Sequence, residues 1–378
     1  MNSVRPDLLA LNLSHFHGLC QAVNNIQFTN PKKIGFQNDL FKLSQKLLEE
    51  DVYTMSQPEI LDRLALVNFF QQWALAFDGR NVYTLTKEMR GALENLCTHW
   101  IPDPDKYVFA LTDGDFSVLP YDTGWDLMIE NIKNAFGVNF AHQLVIFSVP
   151  KQLAGDFLYS CVLYHEMGHF VDSYYHISDK VFDSFCEKQK KKELPVDFLP
   201  KYFSATMFVA KGNPAMVDKC LKRQIGEYVA DLFGAQYLGE HICNLMESAS
   251  CGKYDACDFD HPSPNYRESI IKDFLGGSTT NIVLSEILDV FTSCGIELKY
   301  RYVHPADAGT MKSGTAIKID NDDELHSIFK CGWDVFFNKP STLEATIGVP
   351  AGSITKHDFY SRINTAIKDS IKQYFGYQ

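Results

Sequence analysis

The segment His165-Glu-Met-Gly-His169 combines residue types and a spacing that suit a catalytic metal site. Its two histidines are four residues apart, so on an α-helix they project from one face, one turn apart, and can bind the same metal ion. Glu166 follows the first histidine and can act as a general base on a water held by that ion. Two imidazoles and one carboxylate would leave a fourth position open for water, which favours Zn2+ as the metal.

The third metal ligand must come from another part of the chain. His176 lies one residue away from its place in an extended histidine pattern, and Glu187 lies eighteen residues after His169, near the position used in short-spaced zinc sites. The preferred candidate is Glu227, which shares one face of a predicted helix with Asp231. Glu227 would bind the metal, and Asp231 would accept a hydrogen bond from the free ring nitrogen of a ligand histidine.

Together these segments resemble the gluzincin class of zinc metallopeptidases, in which HExxH on one helix is completed by ExxxD on the next. The 57 residues between His169 and Glu227 make a wider gap than in thermolysin. The gap is similar to that of families with larger insertions, including soluble relatives of the CAAX-processing zinc proteases. The resemblance covers residues 140–275 and implies a zincin-like fold, bound zinc and peptide hydrolysis.

A further segment, from His261-Pro262 to Arg267, is similar to the HP-x(n)-R segment that follows the glutamate helix in those relatives. The resemblance implies that His261 or Tyr266 stabilises the oxyanion of the reaction and that Arg267 braces the site. It leaves open which of the two side chains, His261 or Tyr266, is the hydrogen-bond donor.

The metal ligands are predicted to lie on two long helices. The pattern of apolar residues predicts one helix over about residues 154–175 and another over about residues 223–238. Gly168, Ala230 and Gly234 are small enough to let these helices approach each other closely.

A small sheet is predicted before the first of these helices. Residues 142–149 (HQLVIFSV) are the strongest strand candidate and could offer an edge to which an extended substrate peptide adds as a further strand. Residues 107–111 and 116–119 flank Asp113-Gly114 and predict a hairpin. The sheet and the two helices together predict an α+β fold with a zincin-like catalytic core at residues 104–280.

The regions on either side of this core match no recognised motif. Residues 1–103 are predicted to be a helical N-terminal region for recognition or regulation, which ends at the Pro-Asp-Pro-Asp break of residues 102–105. Residues 281–378 are predicted to be a mixed α/β C-terminal extension with strands at 297–303 and 315–319. A regulatory protein partner could bind through the N-terminal region.

Composition and charge argue against several classes of protein. The chain has 378 residues, 46% hydrophobic and 22% charged, which is typical of globular proteins, and its net charge of -12 argues against a nucleic-acid partner. Ten cysteines without a CxxC pattern indicate reduced thiols. Polar residues interrupt the apolar stretch at 60–77, so no membrane-crossing helix is predicted. We therefore expect a cytoplasmic protein with a protein or peptide substrate and with no nucleic-acid or membrane partner.

The predicted function is that of a zinc-dependent endopeptidase with Glu166 as the general base. Two alternatives stay open: a non-catalytic, zinc-stabilised interaction protein, and a protease effector or toxin that becomes active when a partner binds the N-terminal region. Glu166 disfavours the interaction protein, because a structural zinc site has no need for a base at that position. No feature of the sequence separates the effector from a constitutive peptidase.

Overall fold

The computed structural model describes residues 5–28, 30–77, 86–114, 117–119, 124–150, 153, 155–203, 214–250, 257–311, 313–337, 344–345 and 348–377. The chain divides into two compact units. The first unit is Met1–Leu85 with Asp103–Ala154, and the second unit is Thr86–Pro102 with Gly155–Gln378. The predicted boundaries at residues 103 and 280 do not coincide with this division, since residues 86–102 belong to the same unit as the HEMGH segment.

The described helices and strands are, in chain order, α1 (Pro6–Asn24), α2 (Pro31–Leu48), α3 (Gln57–Phe77), α4 (Lys87–Trp100), β1 (Tyr107–Asp113), β2 (Ser117–Leu119), α5 (Gly124–Phe136), β3 (Gln143–Val149), α6 (Val162–Tyr175), α7 (Ile177–Lys190), α8 (Phe198–Tyr202), α9 (Pro214–Leu238), α10 (His241–Ser250), α11 (Pro264–Leu275), α12 (Ile282–Ser293), α13 (Ala308–Met311), α14 (Asp322–Phe337) and α15 (Lys356–Tyr374). Short 3-10 turns precede β1 and α6, at Pro104–Lys106 and Tyr159–Cys161.

Local sequence signals account for where several helices begin. The side chains of Asn30, Thr86 and Asn281 accept hydrogen bonds from backbone N–H groups in the first turns of α2, α4 and α12. At the start of α15, Thr355 and Asp358 form a capping box in which each side chain accepts a hydrogen bond from the other residue's backbone. These caps satisfy N–H groups that have no partner within the helix.

In the first unit, helices α1, α2 and α3 share an apolar core with one face of the sheet. β3 is the central strand, with β1 parallel to it on one side and β2 antiparallel to it on the other. Side chains alternate between the two faces of a strand, and Val108 of β1 with Leu144 and Ile146 of β3 joins the core that the helices bury. The small sheet that the sequence predicts is present. The described part of the chain is mostly helical and compatible with the α+β class.

Two predictions about this sheet need correction. β1 and β2 do not form a hairpin, because each pairs with β3 instead of with the other. The strand predicted over 142–149 has no free edge at residues 146–148, because β3 is paired there with β1 on one side and β2 on the other. Strand order depends on contacts between distant segments, which turn signals at 113–114 do not report.

The second unit contains both helices that carry the predicted metal ligands. α6 begins at Val162, later than the predicted residue 154, and α9 extends from Pro214 to Leu238 and is longer than predicted. The start of α11 at Pro264 follows the prediction. Residues 297–303 and 315–319 lie in neither helices nor strands, so the two strands predicted there are wrong.

The first of these segments, residues 297–303, pairs with helices. The N–H of Arg301 donates to the carbonyl of Gln236 in α9, and the N–H of Val303 donates to Ser327 Oγ in α14. These two N–H groups therefore have partners in helices instead of in a neighbouring strand. No helix in the described ranges is both long and apolar enough to cross a membrane.

Candidate metal centre

Two helices bring three candidate metal ligands together. His165 and His169 lie one turn apart on α6, with their Nε2 atoms 3.1 Å apart. Glu227 on α9 places Oε2 3.5 Å from His165 Nε2 and Oε1 3.2 Å from His169 Nε2. The three ligand atoms lie within 4.8 Å of one another, so the group could hold a metal ion. The preferred third ligand, Glu227, is the acidic residue that reaches the two histidines.

Glycine makes this close approach of α6 and α9 possible. A Cβ added at Gly168 would lie 2.7 Å from the Cα of Ala230, nearer than real Cβ atoms come to other atoms. A Cβ added at Gly226 would lie 3.2 Å from Asp172 Oδ2. Pairs 168–230 and 172–226 run in opposite chain order, so the helices are antiparallel. The sequence analysis predicted the close contact at Gly168 and Ala230 from their size.

A second layer of polar groups orients the ligands. Asp231 Oδ1 lies 3.0 Å from His165 Nδ1. Because a carboxylate only accepts hydrogen bonds, Nδ1 carries a proton, which leaves Nε2 as the ring nitrogen that would bind a metal ion. Arg267 on α11 forms two hydrogen bonds with Asp231, of 2.6 and 2.7 Å, and lies 3.1 Å from Glu227 Oε2. This pairing leaves Glu227 Oε1 as the oxygen that faces His169.

Charges in this group compensate one another. Burial alone would raise the pKa of the Glu227 and Asp231 carboxyls, but nearby histidine and the Arg267 guanidinium lower both. Burial would likewise lower the pKa of His165, yet the two carboxylates raise it to about 10. The cluster therefore favours a positive charge at its centre, which a proton or a metal cation can carry.

The candidate general base adjoins the first ligand in sequence, and a candidate oxyanion donor lies near the third ligand. Glu166 follows His165 on α6 and is 9% exposed. His261, just before α11, places Nε2 3.9 Å from Glu227 Oε1, while Nδ1 lies 3.0 Å from both carboxylate oxygens of Asp258. The backbone N–H of His261 also donates to Asp258. The ring is thus fixed with Nε2 facing the cluster.

Sequence reasoning missed Asp258 as the residue that holds His261. The signal was present, since an aspartate three residues before a histidine in a loop can close a turn by accepting its N–H. The other donor candidate, Tyr266, packs its ring 6.4 Å from that of Tyr202. The approach of His261 Nε2 to Glu227 favours His261 over Tyr266 as the candidate donor.

The alternatives for the third ligand lie elsewhere. Glu187 is exposed on α7, a different helix from the one that faces the histidines. His176 has left-handed backbone angles, φ 54° and ψ 45°, and joins α6 to α7. Asp172, which the sequence places on the same helix as the ligands, accepts the N–H of Ser178 at 2.6 Å and so caps α7.

Solvent reaches the His169 and His261 side of the cluster more than the His165 side. The side chains of His165 and Glu227 are 11% exposed, whereas His169 is 25% and His261 50% exposed. Among the described residues, three side chains offer ligand atoms to one position. Two imidazoles and one carboxylate that are more exposed on the His169 side fit a metal ion that keeps a position for water or substrate.

These residues define a buried His–His–Glu group that could hold a metal ion. No protein-family profile, curated protein or solved structure matches this chain. The resemblance to gluzincins therefore depends on the residues and on their arrangement.

Proposed function

We propose that this protein is a zinc metallopeptidase that hydrolyses peptide bonds in a protein or peptide substrate. The observation that carries the proposal is the group of His165, His169 and Glu227, with Glu166 next to the first ligand. When bound, a zinc ion polarises the scissile carbonyl and makes the attacking water more acidic. A four-ligand structural site would have no use for a carboxylate at position 166.

The chain's own residues would perform the proton transfers. Glu166 takes a proton from the attacking water and delivers it to the leaving amine, as a general base and then a general acid. His261 faces Asp258 through Nδ1, so its Nε2 is a donor when the ring is protonated. That donor would stabilise the negative charge that develops on the carbonyl oxygen.

Exposure supports a catalytic site over a purely structural one. Structural zinc sites are closed by four protein ligands, whereas this cluster combines three described ligands with a half-exposed histidine at its rim. A substrate carbonyl could approach from the side of His169 and His261. The alternative of a zinc-stabilised interaction protein has no such need for an open side.

A single substitution tests the proposal. Glu166→Gln should keep one zinc per chain and lose nearly all hydrolysis of a mixed peptide library, since Gln cannot accept the proton. Glu187→Gln, at an exposed acid on α7, is the matched control and should retain activity. Full activity of Glu166→Gln would refute the mechanism. Zinc-loaded wild type that cleaves nothing would contradict a constitutive peptidase and leave the interaction protein and the partner-activated effector.

A further inference from the structure

A fully buried tyrosine precedes the first metal ligand and is held by a histidine from α14. The hydroxyl of Tyr164 lies 2.8 Å from Nδ1 of His326, which is 2% exposed. On its other side, His326 Nε2 lies 3.0 Å from Oδ1 of Asn95 in α4. Three helices of the second unit therefore meet at this histidine.

One carboxylate, that of Asp322, determines the direction of the hydrogen bonds that link Asn95, His326 and Tyr164. Asp322, at the start of α14, only accepts hydrogen bonds, and it takes one from Asn95 Nδ2 at 3.0 Å and one from the Tyr374 hydroxyl. The Asn95 oxygen must then face His326, so Nε2 of His326 carries the proton. Nδ1 is left as the acceptor, and Tyr164 is its donor.

His326 contacts both helices that supply metal ligands. Its ring centroid lies 5.8 Å from that of Tyr164 on α6 and 5.3 Å from that of Tyr237 on α9. Along the two antiparallel helices, the Gly168–Ala230 contact lies between these tyrosines at one end and residues 172 and 226 at the other. Burial lowers the pKa of His326 to about 3, so the ring is neutral near pH 7 and keeps this single tautomer.

We propose that His326 is a positioning residue for the metal centre, which fixes α6 against α9 through Tyr164 and Tyr237. The proposal rests on the proposed zinc site. Two ligands come from α6 and one from α9, so a small shift between the helices changes the distances among all three. A neutral histidine whose tautomer is set from Asp322 holds Tyr164 in one orientation, next to His165.

Zinc affinity separates positioning from ordinary packing. His326→Phe keeps a ring but removes both hydrogen bonds, and should weaken zinc binding about 3–10-fold, less than the 10–100-fold typical of groups that touch a ligand. His326→Gln retains a donor and an acceptor and should restore at least half of that loss. Tyr164→Phe should act like His326→Phe, and the double variant should be no worse than either single one.

The matched control is Ser327→Ala on the same helix. Ser327 is buried and accepts the N–H of Val303, so its loss should lower stability while zinc affinity stays unchanged. Equal weakening of zinc binding by Ser327→Ala and His326→Phe, or wild-type affinity in His326→Phe and Tyr164→Phe, would overturn the proposal.

Nitrogen-15 NMR of the zinc-loaded protein gives a second readout. The ring of His326 should show the neutral form protonated at Nε2, and Asp322→Ala should mix the two tautomers because Asn95 becomes free to turn. A ring protonated at Nδ1 in wild type would contradict the proposal. Neither measurement needs a substrate, so failure here is distinguishable from failure of the peptidase proposal, which Glu166→Gln tests.

Discussion

The two units of this protein bury polar groups in different ways. In the first unit, the buried side chains of Gln37 and Ser44 are neutral and donate to backbone carbonyls. In the second unit, the carboxylates of Glu227 and Asp231 are buried together with the Arg267 guanidinium and two histidines. A buried neutral group loses little free energy when it forms a hydrogen bond, whereas a buried charge costs several kcal/mol in desolvation unless it is paired. The charged cluster is therefore hard to explain by folding alone and points to a functional site.

The largest expected effect comes from leaving those charges unpaired. Arg267→Met should lower the free energy of unfolding by about 3–5 kcal/mol, because Asp231 and Glu227 lose their buried partner. Arg63→Met removes the corresponding pair in the first unit, where Arg63 binds Glu50 at 2.8 Å and is a quarter exposed. That loss should be about 1 kcal/mol or less. Amide hydrogen exchange in each unit measures the two losses of unfolding free energy. Equal losses would contradict the difference between the two units.

The next effect is on catalysis. His261→Ala should lower kcat by about 100–1000-fold, the range for removal of one oxyanion donor, while zinc binding is retained. Tyr266→Phe is the matched variant from the same segment and should leave kcat near the wild-type value, because the Tyr266 ring packs against Tyr202. The donor assignment is reversed if Tyr266→Phe, and not His261→Ala, abolishes turnover.

A smaller effect is expected from the residue behind the first ligand. Asp231→Ala should weaken zinc binding about 10–100-fold, since His165 loses the acceptor that fixes its Nδ1 proton. A competition titration with a zinc chelator measures the change. Glu187→Ala should bind zinc like wild type, and loss of zinc in that variant instead would mean that the third ligand is on α7.

The smallest effect is expected in the first unit when the metal is removed. At a zinc concentration of 100 times Kd, binding adds about 2.7 kcal/mol of stability to the part of the protein that holds the ion. Chelation should therefore speed amide exchange in α6 and α9 by up to about 100-fold and leave α1, α2 and α3 unchanged. Faster exchange in the first unit as well would show that the metal stabilises both units.

The sequence predicted that His165, His169 and Glu227 lie together, because the signals of each segment are local. HEMGH and EYVAD each place two polar residues on one helix face, and small residues at 168 and 230 indicated the close packing. Helix α11 was predicted from Ser263 and Pro264, whose types are typical of a helix start.

Contacts between distant segments could not be predicted in this way. The pairing of β1 and β2 with β3, and the place of α4 in the second unit, depend on residues far apart in the chain. The contacts of His326 carry no sequence signal, because its partners Tyr164 and Asn95 are 162 and 231 positions away. Asp258 was missed because its contact with His261 is made within a loop, where helix and strand periodicity give no signal.

X-ray absorption spectroscopy at the zinc edge tests the central claim most directly. With one zinc bound per chain, wild type should show two imidazole nitrogens and a carboxylate oxygen at about 2.0–2.2 Å. Glu227→Ala should bind well below one zinc per chain at the same zinc concentration, whereas Glu187→Ala should give the wild-type occupancy and spectrum. A sulfur ligand at about 2.3 Å, or full zinc occupancy with the wild-type spectrum in Glu227→Ala, would contradict the assignment of His165, His169 and Glu227 as the metal site.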